Sequence, residues 1–240
     1  MEKTLDLEKS VKVTGLEATP EDMAKINSYA LKTLSPEDVF VFKVMMADNE
    51  LDDRNCEPFT RKALDSMAKQ YPGVPFIKDH DREAENVLGR VFEAWVEENP
   101  SRKTAAGEAH AELHGKIYMA RTESNKDLIA EIEAGIKSEV STHVIAKSLI
   151  CSICGVDQVK DWCDHWPGRK YKSNGKTETC MMTIADVAAS RELSLVVVPA
   201  QPRAGTHKSA GEPTENVKNA ADLELRIRIS EAFLKSQEGE

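Results

Sequence analysis

One histidine, one serine and one glutamate lie in three separated segments, each on or beside an apolar, strand-like run. The segments are VPFIKDHD at 74–81, GIKSEVS at 135–141 and ELSLVVVPAQP at 192–202. In that order they contribute His80, Ser141 and Glu192. A serine that attacks a carbonyl carbon needs a base to accept its proton and a carboxylate to orient that base. The three segments therefore contain the residue types of an activated serine nucleophile.

Each of these residues also has an ordinary structural explanation when it is considered alone. His80 could be a surface histidine in a charged loop, Ser141 a hydrogen-bonded strand serine, and Glu192 a solvated carboxylate at a strand edge. Ser138 is a rival nucleophile in the same segment as Ser141. His143 shares the strand face of Ser141, so it could line the same site as a second histidine or a substrate-side group.

A second cluster has the spacing Cys151-x2-Cys154-x8-Cys163-x-His165. Two cysteines separated by two residues can bind one side of a tetrahedral ion, and a second pair completes the coordination. Thiolate ligands favour zinc, and four protein ligands predict a structural site. The alternatives are cysteines that are simply buried or clustered by chance, or Cys180 as the fourth ligand in place of His165.

The composition narrows the classes of partner. The formal net charge is −9 and no basic face is concentrated in the sequence, so we expect no nucleic-acid partner. No apolar run is long enough to span a bilayer, so we expect no membrane partner, and the polar start predicts a protein that stays in the cytoplasm. Five cysteines, an odd number, argue against a disulfide framework and favour a metal.

The periodicity predicts strands with a few intervening helices. Residues 1–205 are interpreted as one domain, including a Cys-rich insertion at 149–180, and 206–240 as a linker plus a C-terminal helix. Predicted strands cover 39–46, 74–77, 87–96, 110–119, 136–145, 181–184 and 193–198, with a weaker pattern in 1–18. Predicted helices start at Thr19 and Thr60 and, with a capping box to Asp127, at Ser124. A turn or mobile loop is expected at 99–107.

Taken together, the segments resemble the tailed-phage prohead proteases, capsid maturation serine proteases that are distantly related to herpesvirus assemblins. The resemblance runs from about residue 39 to residue 204. It rests on four motifs in order: FTRKALDSMA, PGVPFIKDHD with VLGRV soon after, DLIAEIEAGIKSEVS, and ELSLVVVPAQPRA. One departure is His143, where the family often has a small residue, usually glycine, two positions after the serine.

The resemblance implies an α+β fold with a mixed, partly closed β-barrel-like sheet and a few surrounding helices. It makes His80 the general base and Ser141 the nucleophile. Glu192 becomes the third member, with His143 and Asp81 left as alternatives for that position. It also implies where the protein acts: in the host cytoplasm, inside the immature capsid or prohead.

The implied partners are the phage major capsid protein and the scaffold protein, which the protease would cut, together with self-association inside the prohead and cleavage of itself. The segment 206–240 would be a tail that engages scaffold or shell. Two other classes stay open: a non-catalytic head scaffold protein on a protease-like fold with structural zinc, and a zinc-bearing interaction module.

Overall fold

The computed structural model describes residues 16–173 and 175–206. Three α-helices occur in this part of the chain: α1 Pro20–Asn27, α2 Arg61–Gln70 and α3 Lys126–Glu133. The strands are β1 Val39–Asp48, β2 Pro75–Lys78, β3 Val87–Lys103, β4 Ala109–Ala120, β5 Val140–Cys151, β6 Lys170–Ser173, β7 Lys176–Thr179, β8 Met182–Leu195 and β9 Gly205–Thr206. The linker and helix predicted for 206–240 lie, from residue 207, outside the described residues, as does most of the strand pattern predicted for 1–18.

Seven of the strands form one mixed sheet with the order β5-β8-β2-β3-β4-β1-β9, while β6 and β7 form a separate hairpin. Neighbours in the large sheet are antiparallel except for β2 and β8, which run parallel. The sheet curls until its two edges meet, because Glu139 just before β5 bridges Gly205 in β9. The result is an α+β fold with a curled, half-barrel mixed sheet and few helices, which confirms the predicted fold class at this level.

Two helices cover the sheet as their sequence patterns predict. The Thr60 side chain caps α2, and Leu64 and Met67 face a core that includes Phe40 and Phe76. In α1, which begins after Thr19 as predicted, Thr19 and Asp22 form a capping box. Met23 and Ile26 are buried in a second apolar cluster against β1 and β3. Each helix thus buries one apolar face, which is the main source of stability for helices this short.

Several predicted boundaries are wrong for an identifiable reason. The loop predicted at 99–107 is shorter, because β3 stays paired with β4 as far as Lys103. The two strands predicted at 181–184 and 193–198 are parts of one strand, β8. It stays paired with β5 along its length because bulges absorb the shifts in register. The strand predicted from residue 136 begins at Val140. In each case cross-strand hydrogen bonding, which side-chain patterns do not encode, sets the limits.

The capping box predicted at Ser124 and Asp127 is also wrong. A 3-10 turn, Glu123–Asn125, comes first, and Thr122 caps it by accepting a hydrogen bond from the backbone N–H of Asn125. The helix α3 then begins at Lys126 without a side-chain cap. The hydroxyl that accepts a hydrogen bond from a free backbone N–H is that of Thr122 rather than that of Ser124, so the cap lies two residues closer to the N-terminus than predicted.

Candidate active site and metal centre

The parallel pairing of β2 with β8 delivers His80 to the site. Strand β2 ends at Lys78, opposite Leu195 of β8, and the chain then turns through Asp79 and His80 with left-handed backbone angles (φ 51° and 58°). Two hydrogen bonds to β8 hold this unfavourable turn: Asp79 N–H donates to the Leu195 carbonyl at 2.9 Å, and His80 N–H donates to Ser194 Oγ at 3.0 Å. Strained non-glycine residues persist where the surroundings fix them, and such positions cluster at functional sites.

The same strand β8 supplies the carboxylate that orients the imidazole. His80 Nδ1 lies 2.7 Å from Glu192 Oε1, and Glu192 is almost fully buried. The Ser194 hydroxyl donates to the other carboxylate oxygen, Oε2, at 2.6 Å. With Glu192 as acceptor, the Nδ1 atom of His80 carries hydrogen, which leaves Nε2 of the neutral ring as the atom that can accept a proton.

Ser141 reaches the same place from the neighbouring strand. In β5 it pairs with Ser194 of β8, and residues directly opposite in antiparallel strands share a face of the sheet. Ser141 and His80 both line one cavity of about 380 Å³. Within the described residues the two side chains make no direct hydrogen bond. Catalytic hydrogen bonds are often long before substrate binds, so this arrangement is compatible with a nucleophile and its base.

Two of the alternatives that the sequence left open, Ser138 and Asp81, lie outside the cavity lining. Ser138 is outside the cavity lining, and its carbonyl oxygen accepts from Thr206 N–H at 2.7 Å where the sheet edges meet. The Asp81 carboxylate accepts a hydrogen bond from the backbone N–H of Glu83 within its own loop. Of the two candidate serines, Ser141 is the one that shares the cavity lining with His80, and Glu192 is the carboxylate that contacts the imidazole.

His143 lines the cavity beside Ser141, as its place on the strand predicts. It pairs with Glu192 across β5 and β8, and its Nδ1 atom lies 3.8 Å from Glu192 Oε1. The guanidinium of Arg82 contacts the same Nδ1 atom. Burial and the Arg82 charge lower the pKa of His143. Sequence reasoning missed Arg82, although its position two residues after His80 was a usable signal.

The opposite wall of the cavity comes from the polar loop between β1 and α2. Asp53, Asn55 and Glu57 line it, and burial raises the pKa of both carboxyl groups. The loop is held in place because Phe59 bridges Ile184 of β8 in parallel. No spacing or periodicity in the sequence indicates this wall, since it depends on a pairing between distant segments.

The predicted metal ligands converge. Ligand atoms of Cys151, Cys154, Cys163 and His165 all lie within 4.8 Å of one another. Tetrahedral coordination with Zn–S bonds of about 2.3 Å requires ligand atoms roughly 3.8 Å apart, so a slight contraction would enclose an ion. The His165 Nδ1 atom is buried without a hydrogen-bond partner among the described residues. Three soft sulfurs and one imidazole therefore fit a metal ion.

The pKa values of the three cysteine thiols in this group shift in different directions. Burial opposes ionisation of Cys151, but backbone N–H groups of Cys154 and Ile153 outweigh it and lower the pKa of the thiol. Gln158 donates to Cys163 Sγ at 3.2 Å and lowers its pKa as well. The backbone N–H of Val156 favours ionisation of Cys154, but desolvation and the neighbouring thiols outweigh it and raise the pKa of Cys154. The lowered pKa values of Cys151 and Cys163 favour the thiolate form that binds metal.

Cys180 lies beside this group without belonging to it. Its sulfur is 4.0 Å from Cys151 Sγ, and burial raises the pKa of Cys180 to about 12. A thiol with so high a pKa stays protonated at neutral pH in the absence of a metal. The convergent group contains His165 as the fourth donor, as the sequence spacing first suggested.

Comparisons with protein-family models, with curated proteins and with solved structures found no match. The resemblance to prohead proteases therefore rests on the motifs alone, and function has to be inferred from the site. Among the described residues, no helix combines the length and the apolar character needed to cross a membrane.

Proposed function

We propose that this protein is a serine endopeptidase with Ser141 as nucleophile, His80 as general base and Glu192 as the orienting carboxylate. One observation supports this most strongly: His80, whose Nδ1 atom lies 2.7 Å from Glu192 Oε1, lines the same cavity as Ser141. Three residues from distant segments come to one site, which supports the roles proposed for them.

In the proposed mechanism Ser141 Oγ attacks the substrate carbonyl carbon while His80 Nε2 accepts the hydroxyl proton. Glu192 stabilises the resulting imidazolium through Nδ1, and its burial strengthens that interaction because little water screens it. His80 then gives the proton to the leaving amine. Water attacks the acyl-enzyme with His80 again as base, which restores Ser141.

The substrate class comes from the motif resemblance. We propose that the protease cuts the phage major capsid protein, the scaffold protein and itself, inside the immature capsid in the host cytoplasm. The ordered motifs from about residue 39 to residue 204 support this assignment, and the His80–Glu192 geometry is consistent with it.

We further propose that the Cys151, Cys154, Cys163 and His165 group binds Zn²⁺ as a structural ion. The four ligands belong to an insertion rich in polar residues, which has few apolar side chains to hold its shape. A metal supplies folding free energy directly in such a segment. Cys151 is the last residue of β5, and the other three ligands lie between β5 and β8. The ion would therefore stabilise the end of the β5–β8 pair that lies away from Ser141 and Glu192.

The decisive test treats the wild-type protein and two variants with a fluorophosphonate probe, which serine nucleophiles attack with loss of fluoride. We expect peptide mass spectrometry to locate the adduct on Ser141, Ser141→Ala to abolish it, and Ser138→Ala to retain it. In parallel, intact masses are compared after co-expression with the major capsid protein. An unlabelled Ser141, together with identical intact masses for wild type and Ser141→Ala, would contradict the endopeptidase proposal and favour a non-catalytic head protein.

A further inference from the structure

Two histidines face one carboxylate in this site. Glu192 Oε1 lies 2.7 Å from His80 Nδ1 but 3.8 Å from His143 Nδ1. Only the His80 contact has hydrogen-bond length. Both rings line the cavity, so a site that uses His80 as base must keep His143 from taking the same carboxylate.

Arg82 contacts His143 at Nδ1, the ring atom that lies nearest to Glu192. Its guanidinium contacts His143 Nδ1, and arginine has only donors. The Nδ1 atom must therefore present a lone pair, which places the ring hydrogen of His143 on Nε2. Among the described residues, this Nε2 atom has no hydrogen-bond partner. His143 follows Ser141 by two residues on the same face of β5, so both side chains border the same space.

We propose that His143 is a further catalytic residue, whose neutral Nε2–H donates a hydrogen bond to the substrate carbonyl oxygen, and that Arg82 is the positioning residue that fixes this tautomer. The inference rests on the proposed endopeptidase function. As the bond from Ser141 Oγ to the carbonyl carbon forms, the C=O π pair moves to oxygen and the serine proton passes to His80. His143 keeps its proton and stabilises the new oxyanion.

The charges around His143 support a neutral His143 that donates a hydrogen bond while His80 accepts the proton. The titratable groups that act on it are Arg82, Glu192, His80 and Arg191. Burial first, and then the Arg82 charge, lower the pKa of His143, which keeps its ring neutral. A protonated His143 would pair with Glu192 and weaken the support that Glu192 gives to protonated His80. Fixed donors aimed at a developing negative charge are among the largest contributions to catalysis.

The test measures hydrolysis of p-nitrophenyl acetate by wild type, His143→Ala, His143→Gln and Arg82→Ala. We expect His143→Ala to lower kcat by about 10²-fold with little change in KM, because the lost bond forms in the transition state. His143→Gln should recover part of this loss, since its amide retains an N–H donor. Should His143→Ala fail to fold, His143→Met, a large side chain without a strong donor, serves the same comparison.

A second readout separates catalysis from packing. In Arg82→Ala the histidine loses one of the two largest causes of its lowered pKa, the Arg82 charge, while burial stays, so we expect the acid limb of the pH profile of kcat/KM to move to higher pH. The double variant Arg82→Ala, His143→Gln should not show this movement, because glutamine does not titrate. An acid limb that moves equally in both proteins, or that does not move in Arg82→Ala, would overturn the role given to Arg82.

Fluorophosphonate labelling of Ser141 distinguishes failure of this inference from failure of the proposed function. If wild type neither labels at Ser141 nor hydrolyses the ester, the endopeptidase function itself is wrong. If wild type labels and hydrolyses the ester, and His143→Ala hydrolyses it at the wild-type rate, only the role of His143 is wrong.

Discussion

The imidazole of His80 and the carboxylate of Glu192 meet at 2.7 Å although they are 112 residues apart in the chain. The parallel register of β2 and β8 is the cause, since Phe76 pairs with Leu193 and the turn after Lys78 folds back over Ser194. Every prediction about the proposed catalytic apparatus depends on this short stretch of pairing.

Replacing the buried carboxylate tests its orienting role directly. We expect Glu192→Gln to lower kcat for p-nitrophenyl acetate by about 10³-fold or more, because an amide can hold His80 in the wrong tautomer and cannot stabilise the imidazolium. Glutamine is nearly isosteric, so the circular dichroism spectrum should be unchanged. Glu178→Gln makes the same change at an exposed carboxylate on β7 and is the control, with near-normal kcat. Equal losses in both variants would argue against a specific role for Glu192.

Ser194 connects the strained turn to the carboxylate. Its hydroxyl accepts from His80 N–H and donates to Glu192 Oε2. Ser194→Ala leaves the buried Glu192 Oε2 and the partly buried His80 N–H without this partner, so we expect a loss of about 2–4 kcal/mol in the free energy of unfolding, measured by urea denaturation. Ser190 lies on the same strand as Ser194, and its hydroxyl donates to the Gln70 side chain. Ser190→Ala should therefore lower the free energy of unfolding much less. Equal losses would mean that the turn does not depend on Ser194.

Metal content distinguishes the four ligands from the other cysteines. We expect about one zinc ion per chain in the wild type by inductively coupled plasma mass spectrometry, and almost none in Cys154→Ser or His165→Ala. A chelator should lower the wild-type melting temperature by several degrees but leave Cys154→Ser unchanged, because metal binding contributes to folding. Cys56→Ser and Cys180→Ser are controls that should retain zinc. Loss of zinc in Cys180→Ser, together with retention in His165→Ala, would assign the fourth ligand to Cys180.

The buried carboxylate Asp48 predicts a pH dependence of stability. Burial alone would raise its pKa, but His110 and Arg203 outweigh burial and lower the pKa of Asp48 from 3.8 to about 2. A folded-state pKa below the unfolded value stabilises the protein above about pH 4, and the contribution is lost as pH falls towards 2. The free energy of unfolding of wild type should therefore exceed that of Asp48→Asn by on the order of 2 kcal/mol at pH 7.

Urea denaturation at a series of pH values checks this prediction. The difference between wild type and Asp48→Asn should be constant from neutral pH to about pH 5 and should shrink below about pH 4. Acid also protonates the thiolates of the proposed metal site, so the difference between the two proteins, rather than either curve, isolates Asp48. Asp52→Asn removes the exposed partner of the same Arg203 and should cost about 1 kcal/mol or less. A difference that stays constant down to pH 2 would contradict the lowered pKa of Asp48.

Gly89 lies opposite Phe76 of β2, close to the strand end that delivers His80. A Cβ atom at residue 89 would stand 2.3 Å from the Tyr118 carbonyl oxygen, which belongs to the backbone. We expect Gly89→Ala to lower the free energy of unfolding by about 1–3 kcal/mol. At Gly115 the nearest atom, 2.5 Å away, is the sulfur of flexible Met46, so Gly115→Ala should be milder. The reverse order in urea denaturation would contradict this packing.

The sequence predicted the helices better than the strand limits. The Thr19 and Thr60 caps are local, because each hydroxyl or carboxylate acts on backbone groups three residues away, and both are present. The extents of β3 and β8 depend on hydrogen bonds to partners that are distant in sequence, and bulges let β8 continue through polar residues. Alternating apolar residues predict which face a strand buries but not where its pairing stops.

The Cys/His group was easier to predict than the trio formed by His80, Ser141 and Glu192. Because Cys151, Cys154, Cys163 and His165 lie within one short segment, local spacing was sufficient to propose them as a group. The trio required tertiary structure, since three chemically suitable residues can converge only if β2, β5 and β8 become neighbours in one sheet.

The sequence by itself determined which side chains are candidates for catalysis, the apolar segments beside them and the residues of the Cys/His group, because residue type and local spacing limit these choices. Only the tertiary structure decided which carboxylate faces His80, that Ser141 rather than Ser138 lines the cavity, and that Arg82 contacts His143. The physical reason is that long-range strand pairing sets these distances. That pairing reflects the packing of the whole sheet, which no single segment specifies.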